Sequence, residues 1–105
     1  MIKRVWRGWT EPENADAYQE VLLTKVIPMI EAKAMPGFIS IEVLRQDLGD
    51  EVEFSTVMTF DALENVTAFQ GADYARAHVP DIAQAVLKRW DQTARHYEHI
   101  KTVTY

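Results

Sequence analysis

The spacing of apolar residues changes period several times along this chain, and each change predicts an element. "IKRVWRGW" alternates large apolar with basic residues and reads as a first strand. Thr10 as N-cap, Pro12 in the first turn and Glu13 three residues after the cap then predict the start of a helix. It should run to about Lys33, because Tyr18, Val21, Leu22, Val26, Met29 and Ile30 recur at three- and four-residue steps. Pro28 lies inside that stretch and is expected to kink or split the helix near Val26. "MPGF" closes it. "FISIEVLRQ" and "VEFSTVMTF" predict two strands joined by a hairpin at Gly49-Asp50. "DALE" places Asp61 as N-cap and Glu64 at the third position of a short helix, which carries Val66 and Phe69 and stops at Gly71. Residues 72 to 78 predict one more helical turn. Pro80 opens a third helical piece in which Ile82, Val86, Leu87 and Trp90 repeat, with Trp90 expected in the core. "ARHYEHIKTVTY" has the β-branched and aromatic content of a last strand.

The resulting order, βαββαβ on residues 1–105, predicts a single α+β domain of ferredoxin-like type. Such a domain is a four-stranded antiparallel sheet with its helices on one face. Along "VEFSTVMTF" the set Val52, Phe54, Thr56, Met58 and Phe60 reads as the face turned to the helices, and Glu53, Ser55, Val57 and Thr59 as the other. Along "VWRGW", Val5, Arg7 and Trp9 share one face and Arg4, Trp6 and Gly8 the opposite one. Trp6 or Trp9, Val57 and Tyr97 put apolar bulk on the open face, which is best covered by a second copy in a homodimeric barrel.

Charge and composition then remove whole classes of function. Sixteen acids against eleven Lys and Arg, with no basic cluster, leave a net charge of −5 and argue against a nucleic-acid partner. The absence of cysteine excludes thiolate nucleophiles, thiolate metal sites and disulfides. Four scattered glycines form neither a phosphate loop nor a dinucleotide fingerprint. No apolar run is long enough for a signal peptide or a membrane span, so a cytoplasmic protein with no membrane partner is expected.

Two constellations remain. "HYEH" holds His96, Glu98 and His99, but on a strand His96 and Glu98 share one face while His99 points to the other, so no metal site is expected. "FQGADYARAH" is more informative. Asn65 and Phe69 are four apart before Gly71, and Tyr74 and His78 are four apart after it. If the chain bends at Gly71, an amide, an aromatic ring, a phenol and an imidazole converge on a pocket for a flat, oxygen-bearing ring compound. On spacing alone the other reading is open too: Phe69 in the core, Asn65 at the surface, and Tyr74 with His78 as an amphipathic edge.

Taken together, "KRVWRGW", the "PGF" after the first helix, "FSTVMTF" leading into "DALE", and "YARAH" resemble the antibiotic biosynthesis monooxygenase family of the dimeric α+β barrel superfamily. The resemblance spans nearly the whole chain. It implies a cofactor-independent oxygenase acting on a small quinol- or phenol-like aromatic substrate. Asn65, Phe69 and Tyr74 resemble the family's asparagine, tryptophan and tyrosine that line the substrate cavity, although Phe69 lacks an indole N–H. On this reading Asn65 and Tyr74 orient the substrate's oxygens and His78 takes its proton. Phe69, Trp6 and Arg7 are the expected substrate-binding residues. In the haem-degrading branch a histidine ligates haem iron, and His78 resembles it, so haem is the alternative cofactor to none at all. A dimer that binds a small hydrophobic ligand without turnover is the alternative outside enzymology.

Overall fold

The structure, a computed structural model, describes residues 1–105. Strand β1 (Ile2–Thr10) alternates side chains between two faces and is paired along both edges. On one side it runs antiparallel to β3 (Val52–Phe60), which in turn pairs with β2 (Phe38–Asp47) across the Gly49 hairpin. On the other side it meets two short segments, β4 (Arg89–Trp90) opposite Trp9 and Gly8, and β5 (Arg95–Glu98) opposite Val5 to Ile2. The sheet is therefore antiparallel and five-stranded, in the order β2-β3-β1-β4 with β5 beside β1. Of the last strand expected over residues 94–105 only β5 forms, and β4 arises where the third helical piece was expected to end. Between β4 and β5 the chain turns away to bond the 75–77 segment, through Ala77 N–H to Gln92 O at 2.9 Å and Ala94 N–H to Ala75 O at 2.6 Å. β5 ends at Glu98, and residues 99–105 do not continue it.

The first helix starts one element later than its cap signal implied. Thr10 pairs with Val52 inside the sheet and is fully buried, so it cannot cap. Glu11 is the residue that leads into a 3₁₀ turn, Pro12–Asn14, and helix α1 (Ala15–Val21) follows. A π turn, Leu22–Val26, then joins α1 to α2 (Ile27–Ala32). This wide turn is where Pro28, lacking an N–H and crowding the preceding turn, is accommodated. The cap of α3 (Leu63–Gln70) is likewise displaced by one residue. Asp61 still donates its N–H to Gly37 O at 2.8 Å, which leaves Ala62 as the N-cap and Asn65, not Glu64, at the third position. After Gly71, whose φ of 83° ends α3, no helical face carries Tyr74 and His78 together, because residues 72–75 form only a turn and residues 77–80 have no regular structure. The third helical piece is the single turn α4 (Asp81–Gln84), and Trp90 sits on β4 instead.

Register fixes the two faces. Arg4, Trp6 and Gly8 lie opposite Met58, Thr56 and Phe54 and turn towards the helices. Tyr18 and Leu22 of the helix, Phe54 of the sheet and Leu87 form one core cluster, with the Tyr18 ring edge-on to Phe54 at 4.9 Å. Met58, Phe60 and Val66 form a second. On the open face Trp9 is covered by two guanidinium groups, Arg7 at 5.1 Å and Arg89 at 3.8 Å from the ring centroid. Glu51 hydrogen-bonds Arg89, which holds its carboxyl below the usual range and ties the hairpin to β4. No helix is long and apolar enough to cross a membrane.

Phe54 is fully buried, whereas Trp90 is half-buried and packs on the rim of the first cluster. Phe54→Ala should therefore destabilise the domain by about 3–5 kcal/mol, and Trp90→Ala by less, since part of its ring is already in water. Urea denaturation of both variants checks the order; equal losses would place Trp90 in the core on a par with Phe54.

Candidate functional site

The helices do not close completely over the sheet. Between them lies a cavity of about 220 Å³, and 12 of its 18 lining residues are apolar. Its floor is the helix-side face of β1 and β3, with Arg4, Trp6, Thr56 and Met58. Tyr18, Leu22 and Val26 form the wall on the helix side. Phe69 and Gln70 at the end of α3, and the irregular stretch from Ala77 to Pro80, close the remaining sides.

Three of the residues expected at a site meet here. Trp6 lies flat against Gly8, where any Cβ would come within 2.8 Å of its ring, and its indole N–H donates to Asp91 O at 2.9 Å. Phe69 is stacked on Phe60 with centroids 6.3 Å apart, and the Lys33 ammonium sits 4.7 Å from its centroid. His78 borders the same cavity from an exposed position at the mouth.

The other three do not line it. Asn65 is held beneath the 36–38 turn, where its Oδ1 accepts from Ala62 N–H at 3.1 Å and its side chain fills the space beside Gly37. It closes the start of α3, a role its place three residues after the true cap dictates. Tyr74 stands edge-on to His96, with centroids 5.0 Å apart, and packs beside the second core cluster. Arg7 is on the open face of the sheet, where its Nε and Nη2 grip Asp91 at 3.0 and 3.5 Å.

What the sequence reading missed is Arg4. It is 5% exposed, lines the cavity, and has no carboxylate partner. Its Nη1 donates to Tyr74 O at 2.6 Å and to His96 Nε2 at 2.9 Å, and its Nη2 lies 3.4 Å from Arg76 O. Burial pulls its pKa below the ordinary value, yet a guanidinium stays charged at neutral pH. His96 answers to that charge. Burial, and then the Arg4 cation, push its imidazole below the ordinary 6.5, so it is neutral and can accept the Arg4 hydrogen bond. Tyr18 also lines the cavity, and burial raises its phenol far above the usual range. Gln70 contributes an Oε1 that is buried with no hydrogen-bond partner. The signal for Arg4 lay in strand alternation: it shares a face with Trp6 and Gly8, and that face is the one the helices cover.

Because His96 is held neutral in the fold, the unfolded chain binds its proton first as pH falls. The stability this gives is fully present above about pH 6.5. It should fall as the pH drops towards the lowered folded value and then level off. The thermal midpoint of the parent should accordingly decline between about pH 7.5 and 5.5 more steeply than that of His96→Gln; parallel curves would show that His96 contributes nothing to the slope.

No protein-family model and no curated protein matches this chain, so the family resemblance rests on the sequence motifs alone.

Proposed function

We propose that this domain takes a small aromatic compound into the cavity beneath its helices and oxidises it as a cofactor-independent monooxygenase. The carrying observation is the convergence of Trp6, Phe69 and His78 on one largely apolar cavity. Its size suits the ligand. An apolar cavity of about 150 Å³ holds benzene, and drug-sized ligands occupy roughly 300–1,000 Å³, so about 220 Å³ matches one substituted ring. Trp6 and Phe69 supply aromatic surface, and His78 takes the phenolic proton of a quinol. The resulting anion is electron-rich enough to reduce O₂. One oxygen atom enters the ring, the other leaves as water, and the quinol supplies the electrons by becoming a hydroxyquinone. Asn65, Tyr74 and Arg7, placed away from the cavity, have no direct part in this scheme.

Haem does not fit the arrangement. Its macrocycle is much larger than a cavity of about 220 Å³, and in the adjoining open groove of about 710 Å³ His78 is the only histidine, among mostly polar neighbours. The reading with a specific observation behind it is binding without turnover. His78 is then the sole survivor of the expected acid–base set at the cavity, and it is exposed.

Oxygen uptake with a panel of hydroquinones and no added cofactor separates the two. The oxygenase reading expects uptake above the buffer rate and a fall of about ten-fold or more in His78→Ala. Saturable binding with no uptake, unchanged in His78→Ala, would leave the binding protein.

The assembly belongs to the same reading. The strand order, with helices on one face only, supports a ferredoxin-like subunit that pairs through its open face into a barrel. Leu44, at 52% exposure, and Tyr97, at 51%, offer apolar contact there, beside Val5 and Val57. Sedimentation at micromolar concentration should give about twice the chain mass, and Val57→Glu should shift it to the monomer; a monomeric parent would remove the barrel.

A further inference from the structure

Arg4 is the only charged residue among the buried ones, and nothing in the fold neutralises it. Taking a guanidinium out of water without a counter-charge is costly, and carbonyl acceptors offset only part of the loss. The chain has sixteen acids, yet no Asp or Glu is among the residues that line the cavity. The cationic side chains there are Arg4 and Lys33. An acidic protein has thus placed two cations on the lining of this apolar cavity and no carboxylate, the nearest acid of the adjoining open groove being Asp73.

The geometry of the two neighbouring arginines on β1 sharpens this. Arg7 meets a carboxylate with its Nε and Nη2, the edge that matches two carboxylate oxygens side by side. On Arg4 the Nη1 end is occupied by Tyr74 O and His96 Nε2, but Nε has no protein acceptor and Nη2 has only the long contact to Arg76 O. The edge that grips Asp91 on one face of the strand is left unused on the other. At a second point on the cavity wall, the partnerless Oε1 of Gln70 calls for a donor.

We propose that Arg4 is the anion-binding residue of this cavity and that the ligand is a small hydroxylated aromatic carboxylate. Its carboxylate pairs with the free edge of Arg4, its ring lies among the apolar side chains with Trp6 and Phe69, and its hydroxyl donates to Gln70 Oε1. This deepens the aromatic-ligand reading and rests on the cavity being the binding site. It does not depend on turnover.

The test is a protein-observed NMR titration with three probes: 4-hydroxybenzoate, its neutral counterpart 4-hydroxybenzamide, and benzoate. The parent should bind 4-hydroxybenzoate more tightly than the amide by on the order of ten-fold or more, and more tightly than benzoate by a smaller factor. Perturbed resonances should cluster at Trp6, Phe69 and Gln70. Arg4→Met should level the acid and the amide, whereas Lys33→Met, at the cavity edge, should keep the preference. The comparison of acid with amide in the parent stands even if Arg4→Met fails to fold. Equal binding of acid and amide within the cavity would overturn the role of Arg4 while leaving an aromatic-binding cavity. A preference lost in Lys33→Met and kept in Arg4→Met would move anion binding to the mouth and equally overturn it. Cavity resonances unmoved by any probe would overturn both this inference and the reading it rests on.

Discussion

Everything in this molecule is arranged around the double pairing of β1. A strand bonded along both edges has no freedom of register, and here the register from Ile2 to Thr10 decides which side chains the helices must cover. It puts Phe54 and Met58 of β3 beside Gly8 and Arg4 on one face, and it leaves Arg7 and Trp9 with Glu53 and Ser55 on the other. Apart from Thr10 at its far end, the first face is apolar except where Arg4 and Thr56 interrupt it, and the cavity is found where those two do. The cavity is thus less a gap in packing than the place where a polar floor prevents the helices from sealing an apolar core.

Gly8 shows how finely that floor is set. With no Cβ at position 8, the Trp6 ring can lie down along the strand, and the Asp91 carbonyl fixes it there through the indole N–H. The carboxylate of the same Asp91 crosses to the open face and holds Arg7. One residue therefore anchors an aromatic wall of the cavity and a cation of the opposite sheet surface. Packing on either face is felt at the other through a backbone carbonyl and a side chain of a single residue.

The fold was legible wherever periodicity alone decides structure. The faces of β1 and β3, the long helix, the hairpin at Gly49 and the stop at Gly71 all follow from spacing and turn chemistry, and all are present. The caps were displaced because Thr10 is claimed by sheet pairing and the Asp61 N–H by the Gly37 carbonyl, which no local motif reveals. The site was less legible for a related reason. Phe69, Trp6 and His78 reach the cavity, but the helical turn that would have aligned Tyr74 with His78 does not form, since residues 75–77 pair with 92–94 instead. Arg4 was missed because a basic residue on an alternating strand ordinarily marks the wet face. Here it marks the dry one.

That long-range pairing is also what makes a buried Arg4 tolerable. By leaving β1 between β4 and β5, the edge of the sheet brings Gln92 to Ala94 against Ala75 to Ala77, and so delivers the carbonyls of Tyr74 and Arg76 to the guanidinium. The returning β5 supplies His96 as a neutral third acceptor. All three acceptors gather on one side of the guanidinium plane's perimeter, at Nη1 and Nη2, and none reaches Nε. An irregular strand, which weakens the sheet at its edge, is exchanged for a cation held in fixed orientation at the floor of an apolar cavity. A fold selected only for stability would do better with a methionine at that position and a continuous strand beside it. The buried charge, its one free edge and the absence of acids from the cavity lining are together what the proposed anion site requires.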